Sequence, residues 1–150
     1  MNISHLNSLG APDFATDFDP FSNLSGLESL TTLTSTIVIS ENESLNNIDA
    51  LNGVISSGGL NVSSNPNISS LAAFADLQSM GGFYIADNSQ LTTLGLTSLA
   101  TVDGMFHVTD NPILCNQDAV DLLNQVEERQ GYKIPNQELE ISNNMDCTIQ

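Results

Sequence analysis

Apolar residues return along this chain with one dominant step. Ile37, Leu60, Phe83 and Phe106 stand 23 residues apart, and so do Ile39, Val62, Ile85 and Val108. The same step joins Leu45, Ile68, Leu91 and Leu114, and it joins Gly58, Gly81 and Gly104. A polar position keeps the phase as well: Asn42, Asn65, Asn88 and Asn111. The repeated unit is apolar-x-apolar-x-x-Asn-x-x-apolar, written here as IVISENESL, LNVSSNPNI, FYIADNSQL and FHVTDNPIL. A fifth copy, LEISNNMDC, spans Leu139 to Cys147 and lies 33 residues after the fourth, so about ten residues are inserted before it. A degenerate earlier copy is expected at Phe14–Pro20, one period before Ile37.

A fixed period of this length predicts a solenoid. Each coil supplies one short strand, and the first and third motif residues point inward because side chains alternate along a strand. The asparagine follows the strand, where the chain turns inward and would bury unpaired backbone groups. An amide carries both a donor and acceptors, so stacked Asn42, Asn65, Asn88, Asn111 and Asn144 are expected to form a structural ladder and not a ligand site. Further apolar residues come every two or three positions: Ile48, Leu51, Val54; Leu71, Phe74, Leu77, Met80; Leu94, Leu96, Leu99, Val102. That spacing is too tight for a long helix and predicts more short strands and turns. The expected class is mainly β: a right-handed leucine-rich β-solenoid of about five 23-residue coils with a C-terminal helix cap.

The pattern changes after Leu114. In NQDAVDLLNQVEERQG, Ala119, Leu122, Leu123 and Val126 make one apolar stripe. Asn116 reads as the N-cap, Arg129 falls in the last turn and Gly131 is the expected C′ residue. This predicts a helix over the open end of the solenoid, followed by a last strand at Leu139–Ile141. Cys115 follows Asn111 by four residues and Cys147 follows Asn144 by three. Stacked asparagines would therefore put both cysteines at nearly one angle on adjacent coils, within the separation a disulfide requires. A Cys115–Cys147 bridge is expected, and with it an oxidising compartment. The domain reading is 1–22 as a degenerate N-terminal coil or cut edge, 23–114 as regular repeats and 115–150 as the C-terminal cap.

Charge narrows the function. The 150 residues carry 18 acids against 2 bases, a formal net charge of −16. Met1 to Glu128 contains no Lys or Arg. Phosphate backbones and anionic membranes both need cations, so neither nucleic acid nor an anionic membrane is an expected partner. Stability must come from packing and neutral hydrogen bonds, and a surface this acidic is best screened at high salt. No apolar run approaches the ~20 residues of a membrane span. Met1 to Gly10 lacks the basic and apolar regions of a signal peptide, which points to another export route or to a piece of a longer protein.

The segments LQSMGGFYIADNSQLTTL and LATVDGMFHVTDNPILC resemble the receptor L domain. This is the leucine-rich β-helix of insulin-receptor and epidermal-growth-factor-receptor ectodomains, with related coils in fungal cell-wall and bacterial surface proteins. The family shows a Gly before the strand, an apolar pair in it, Asn after it and an N-P-x-L-C ending before a helix. Asn111, Pro112, Leu114 and Cys115 reproduce that ending. The resemblance covers roughly Leu24 to Cys147. It implies an extracellular or cell-surface setting, while the family's growth-factor ligands do not carry over. The family's N-terminal cap and its cysteines have no counterpart here.

The outward strand positions form the one surface that can be drawn from the pattern. Val38, Asn61, Tyr84 and His107 make one column, flanked by Thr36, Gly59, Gly82 and Met105 on one side and by Ser40, Ser63, Ala86 and Thr109 on the other. Such a face, with Tyr84 as an apolar platform, suits a protein or a glycan. Alternatively, Tyr84 and His107 merely stack as cross-strand neighbours. The expected function is a non-enzymatic extracellular binding or adhesion module. The alternative is a purely structural spacer or capping domain. An ice-binding face and a polysaccharide-active enzyme rank lower, the latter using Asp87 and Asp110 beside His107. No cofactor and no metal is expected, although Asp13, Asp17 and Asp19, or Asp87 and Asp110, are oxygen donors of the kind Ca²⁺ takes. Asn-x-Ser sequons occur at Asn2, Asn23, Asn42, Asn61 and Asn67. End-to-end self-association through the N-terminal edge is a further partner mode that the pattern allows.

Overall fold

The computed structural model describes residues 1–4 and 22–147. The copy expected at Phe14–Pro20, and Asp13, Asp17 and Asp19, lie outside them. The protein is mainly β, a solenoid of about three turns with one helix. One parallel sheet holds six strands: β1 (Asn2–Ser4), β2 (Thr36–Ser40), β4 (Gly59–Ser63), β6 (Phe83–Ala86), β8 (Phe106–Thr109) and β9 (Leu139–Ser142), in that spatial order. A second sheet holds β3 (Ser56–Ser57), β5 (Ser79–Met80) and β7 (Thr101–Val102). Short 3-10 turns at Asp49–Leu51 and Ala72–Phe74 carry the chain between coils.

The register follows the period. Ile37, Leu60, Phe83, Phe106 and Leu139 are paired in sequence across the sheet, as are Ile39, Val62, Ile85, Val108 and Ile141. The slot beside β2 is filled by β1, whose Ile3 pairs with Ile39. Ile37, Ile39, Phe74, Phe83, Ile85 and Phe106 are fully buried, and Phe83 and Phe106 pack with ring centroids 5.0 Å apart. Each such side chain contributes about 1.5–3 kcal/mol on burial. An exposed ion pair gives about 0–1 kcal/mol, so a chain nearly without cations loses little by lacking them.

The ladder runs the length of the large sheet. The backbone N–H of Asn42 donates to Asn65 Oδ1 (3.3 Å), that of Asn65 to Asn88 Oδ1 (3.2 Å), that of Asn88 to Asn111 Oδ1 (3.1 Å) and that of Asn111 to Asn144 Oδ1 (3.1 Å). Each Nδ2 donates back to a strand carbonyl of the preceding coil: Asn42 to Ile3, Asn65 to Ile39, Asn88 to Val62, Asn111 to Ile85 and Asn144 to Val108. The residue before each asparagine is left-handed: Glu41, Ser64, Asp87, Asp110 and Asn143, at φ 55–58°. Asp and Asn tolerate that region because a short polar side chain bonds locally.

Two sheets meet at a glycine corner. A Cβ on Gly58 would collide with Thr34 O, one on Gly81 with Gly58 O, and one on Gly104 with Gly81 O. The corner of each coil therefore rests on the backbone of the coil before it, and only glycine allows that approach.

The helix α1 (Asn116–Gln130) buries Ala119, Leu122, Leu123 and Val126, and Gly131 follows in the left-handed conformation at φ 79°. Its N-cap is Cys115 and not Asn116 as expected. Asn116 is drawn into the ladder: Asn144 Nδ2 donates to its Oδ1 at 3.1 Å, and its own N–H donates to Met145 O at 2.9 Å. Polar side chains of α1 meet the backbone of residues 96–102. Gln125 Nε2 donates to Leu96 O and Leu99 O, Arg129 Nη1 donates to Thr97 O and Leu99 O, and Gln130 Oε1 accepts from Val102 N–H. The other base, Lys133, pairs with the buried Glu127, whose second oxygen accepts from Ile134 N–H at 3.0 Å. Cys115 and Cys147 are joined, with Cα atoms 5.7 Å apart.

Two outcomes follow from the ladder and the charge. Asn88→Asp keeps the shape but removes the donors to Val62 O and Ala86 O. It should cost about 3–5 kcal/mol in urea unfolding, from several buried groups at about 1–3 kcal/mol each, while Asp87→Asn on the exposed turn leaves stability within about 0.5 kcal/mol. With a net charge of −16, the melting temperature by circular dichroism should rise between about 20 mM and about 1 M NaCl as self-repulsion is screened.

Candidate functional site

The outward columns of β2, β4, β6 and β8 enclose a trough of about 590 Å³, within the range of small-ligand sites. Its origin is a pair of missing side chains. Gly59 and Gly82 stand side by side, with Thr36 on the strand before them and Met105 on the strand after. Asn61, Tyr84 and His107 line one wall, and Gly58 and Leu60 complete the lining. The Tyr84 and His107 rings contact each other, with centroids 6.1 Å apart and planes tilted by 53°. They sit directly outside the Phe83–Phe106 pair, so the wall is backed by the aromatic part of the core.

Of the four residues expected to bind ligand, the structure brings Asn61, Tyr84 and His107 together in the trough. Val38 stands in the same column but outside the lining, paired on its far side with Asn2. Thr36, Gly59, Gly82 and Met105, the flanking column of the sequence pattern, join them in the lining. Two glycines in register at outward strand positions were the available signal for a gap, and Met105 at 46% exposure marks its rim. In the opposite column Ala86 and Thr109 are buried, so the small hydroxyl-bearing face weighed for ice binding is reduced to Ser40 and Ser63.

Polar groups at the site are few. Asn61 Oδ1 is shielded from water and has no hydrogen-bond partner among the described residues. Glu140 continues the column beyond His107. Asp87 and Asp110 project from the exposed left-handed turns, outside the lining, and Asp110 Oδ1 accepts from Asn143 Nδ2 at 2.9 Å. They are not brought to the trough as an acid–base pair beside His107. Asp103, just before the Gly104 corner, accepts from the Tyr132 hydroxyl at 3.0 Å, which holds that phenol above its ordinary pKa. Among the described residues no group of three or more His, Cys, Asp or Glu is placed to hold a metal ion. No helix among them is long and apolar enough to cross a membrane. Of the sequons, Asn42 is buried in the ladder and Asn61 is half-buried, while Asn2, Asn23 and Asn67 are exposed.

Compared with known proteins, the chain matches no family model, no curated protein and no solved structure.

The neighbouring glycines separate fold from site. Gly81→Ala drives a methyl into Gly58 O, whereas a Cβ on Gly82 meets Met105 Cγ at an ordinary 3.5 Å. Gly81→Ala should cost about 2–3 kcal/mol or prevent folding, while Gly82→Ala changes stability by less than about 0.5 kcal/mol; paired urea titrations measure both.

Proposed function

We propose that the protein is a non-enzymatic binding or adhesion module of a cell-surface or secreted protein, recognising a protein or glycan through its parallel strand face. The observation that carries this reading is the trough made by Gly59 and Gly82 against Asn61, Tyr84 and His107. A spacer needs only uniform coils, yet here the outward column is interrupted at two adjacent strands and walled by an aromatic pair. The Cys115–Cys147 bridge fits an oxidising setting outside the cell. The likeness of the repeat to receptor L domains supports a right-handed leucine-rich solenoid of about five coils. In that reading 23–114 are the regular repeats, and α1, β9 and the disulfide in 115–150 form the terminal cap.

The test is a glycan array together with a panel of cell-surface proteins, probed with wild type and Tyr84→Ala. Tyr84→Ala removes the middle of the trough wall and should weaken binding by about tenfold or more, as loss of a buried aromatic anchor does. Equal binding by both proteins would move the site off this face. No binding by either would leave the spacer reading.

A further inference from the structure

Resting on the strand-face reading, we propose that the trough takes a cationic, extended protein segment and not a glycan. Such a segment seats an aliphatic or aromatic side chain between Thr36 and Met105 and sets Lys or Arg against the carboxylates around it.

Three observations lead there. The lining is largely apolar: backbone and Cα of Gly58, Gly59 and Gly82, with Met105 and the rings of Tyr84 and His107. Sugars are held by several convergent polar groups that match their hydroxyls, and here the polar side chains are too sparse and Tyr84 already leans on His107. An apolar side chain entering the trough loses no hydrogen bonds and covers Met105, which is otherwise 46% exposed.

The carboxylates around the trough outnumber its cations: at the Thr36 end the Met1 ammonium donates to Thr36 O at 2.8 Å. Glu140 lies across from His107, Asp87 and Asp110 lie three residues beyond Tyr84 and His107, and Asp103 lies two before Met105. The two basic side chains are committed elsewhere, Arg129 to the Thr97 and Leu99 carbonyls and Lys133 to Glu127. A surface of this kind steers a cationic partner toward it and repels an acidic one. It also disfavours a second copy, which would bring another −16 charges.

The third observation is Asn61. Its Oδ1 is an acceptor without a partner among the described residues, at the wall of the trough. Rotation of the amide toward an incoming N–H would satisfy it, and unmet acceptors of this kind cost about 1–3 kcal/mol when left alone. A peptide backbone N–H or a Lys or Arg head offers that donor.

Fluorescence anisotropy with defined probes tests the proposal. The probe is the labelled peptide Lys-Leu-Lys-Tyr-Lys-Leu-Lys. Its comparators replace every Lys by Glu, or every Leu and Tyr by Ser, and a glycan array runs alongside. The proteins are wild type, Gly82→Leu, which fills the trough without changing charge, and Glu140→Gln; circular dichroism confirms that each folds. The cationic apolar probe should bind wild type, about tenfold or more better than either comparator, and lose about tenfold with Gly82→Leu. Its affinity should fall as NaCl rises and fall modestly with Glu140→Gln. Binding of the cationic probe that ignores Gly82→Leu would show general polyanion attraction and overturn the proposal. A Gly82-dependent neutral, acidic or glycan ligand would overturn it while leaving the strand-face reading intact. No binding by any probe or glycan would end both.

Discussion

The amide of each ladder asparagine performs several hydrogen-bonding tasks at once, and the rest of the coil is arranged around them. Asn88 shows the set. Its Oδ1 accepts from Asn65 N–H, its Nδ2 donates to Val62 O and Ala86 O, and its own N–H reaches Asn111 Oδ1. These groups lie where the chain leaves the strand and turns into the core, out of reach of water. Left unpaired they would cost about 1–3 kcal/mol each, comparable with the total stability of a small domain after a few such losses. The ladder thus fixes the coil at that corner. The left-handed residue before each asparagine is the backbone conformation that aims the amide inward.

The glycine corner is the ladder's counterpart on the other side of β4, β6 and β8. Coils pressed this closely leave no room for a Cβ at Gly58, Gly81 or Gly104. With both ends of the strand fixed, the outward face is free to vary. That freedom is what permits Gly59 and Gly82 beside Tyr84 and His107, and so permits the trough. The acidic surface is tolerated for the same reason: packing and neutral bonds carry the fold. The two basic side chains serve the helix region, Arg129 on the Thr97 and Leu99 carbonyls and Lys133 on the buried Glu127.

The repeat was legible because its physics is local and periodic. Inward pairs, asparagine turns and corner glycines each recur at one step, so Ile37, Asn42 and Gly58 announce their partners. The stripe from Ala119 to Val126 was legible as a helix for the same reason. Two features were hidden by tertiary context. Asn116 is a favourable N-cap residue by type, but its Oδ1 receives Asn144 Nδ2, the last donor of the ladder, so Cys115 takes the cap position. β1 was hidden because Met1-x-Ile3 keeps the apolar pair of the motif but no asparagine follows Ile3 by three residues in the sequence. At the site the wall was readable from strand alternation. The trough was not, because a gap is a property of two adjacent strands and no single residue marks it.

The ladder's governing role is tested most directly by native-state amide hydrogen exchange. The backbone N–H groups of Asn42, Asn65, Asn88 and Asn111 each donate to the next asparagine's Oδ1. The account predicts that these four amides exchange only through global unfolding, matching the slowest strand amides such as those of β4 and β6. Exchange of the asparagine amides through local opening, while the strands beside them stay protected, would show that the turns are held by the sheet and that the ladder does not govern the fold.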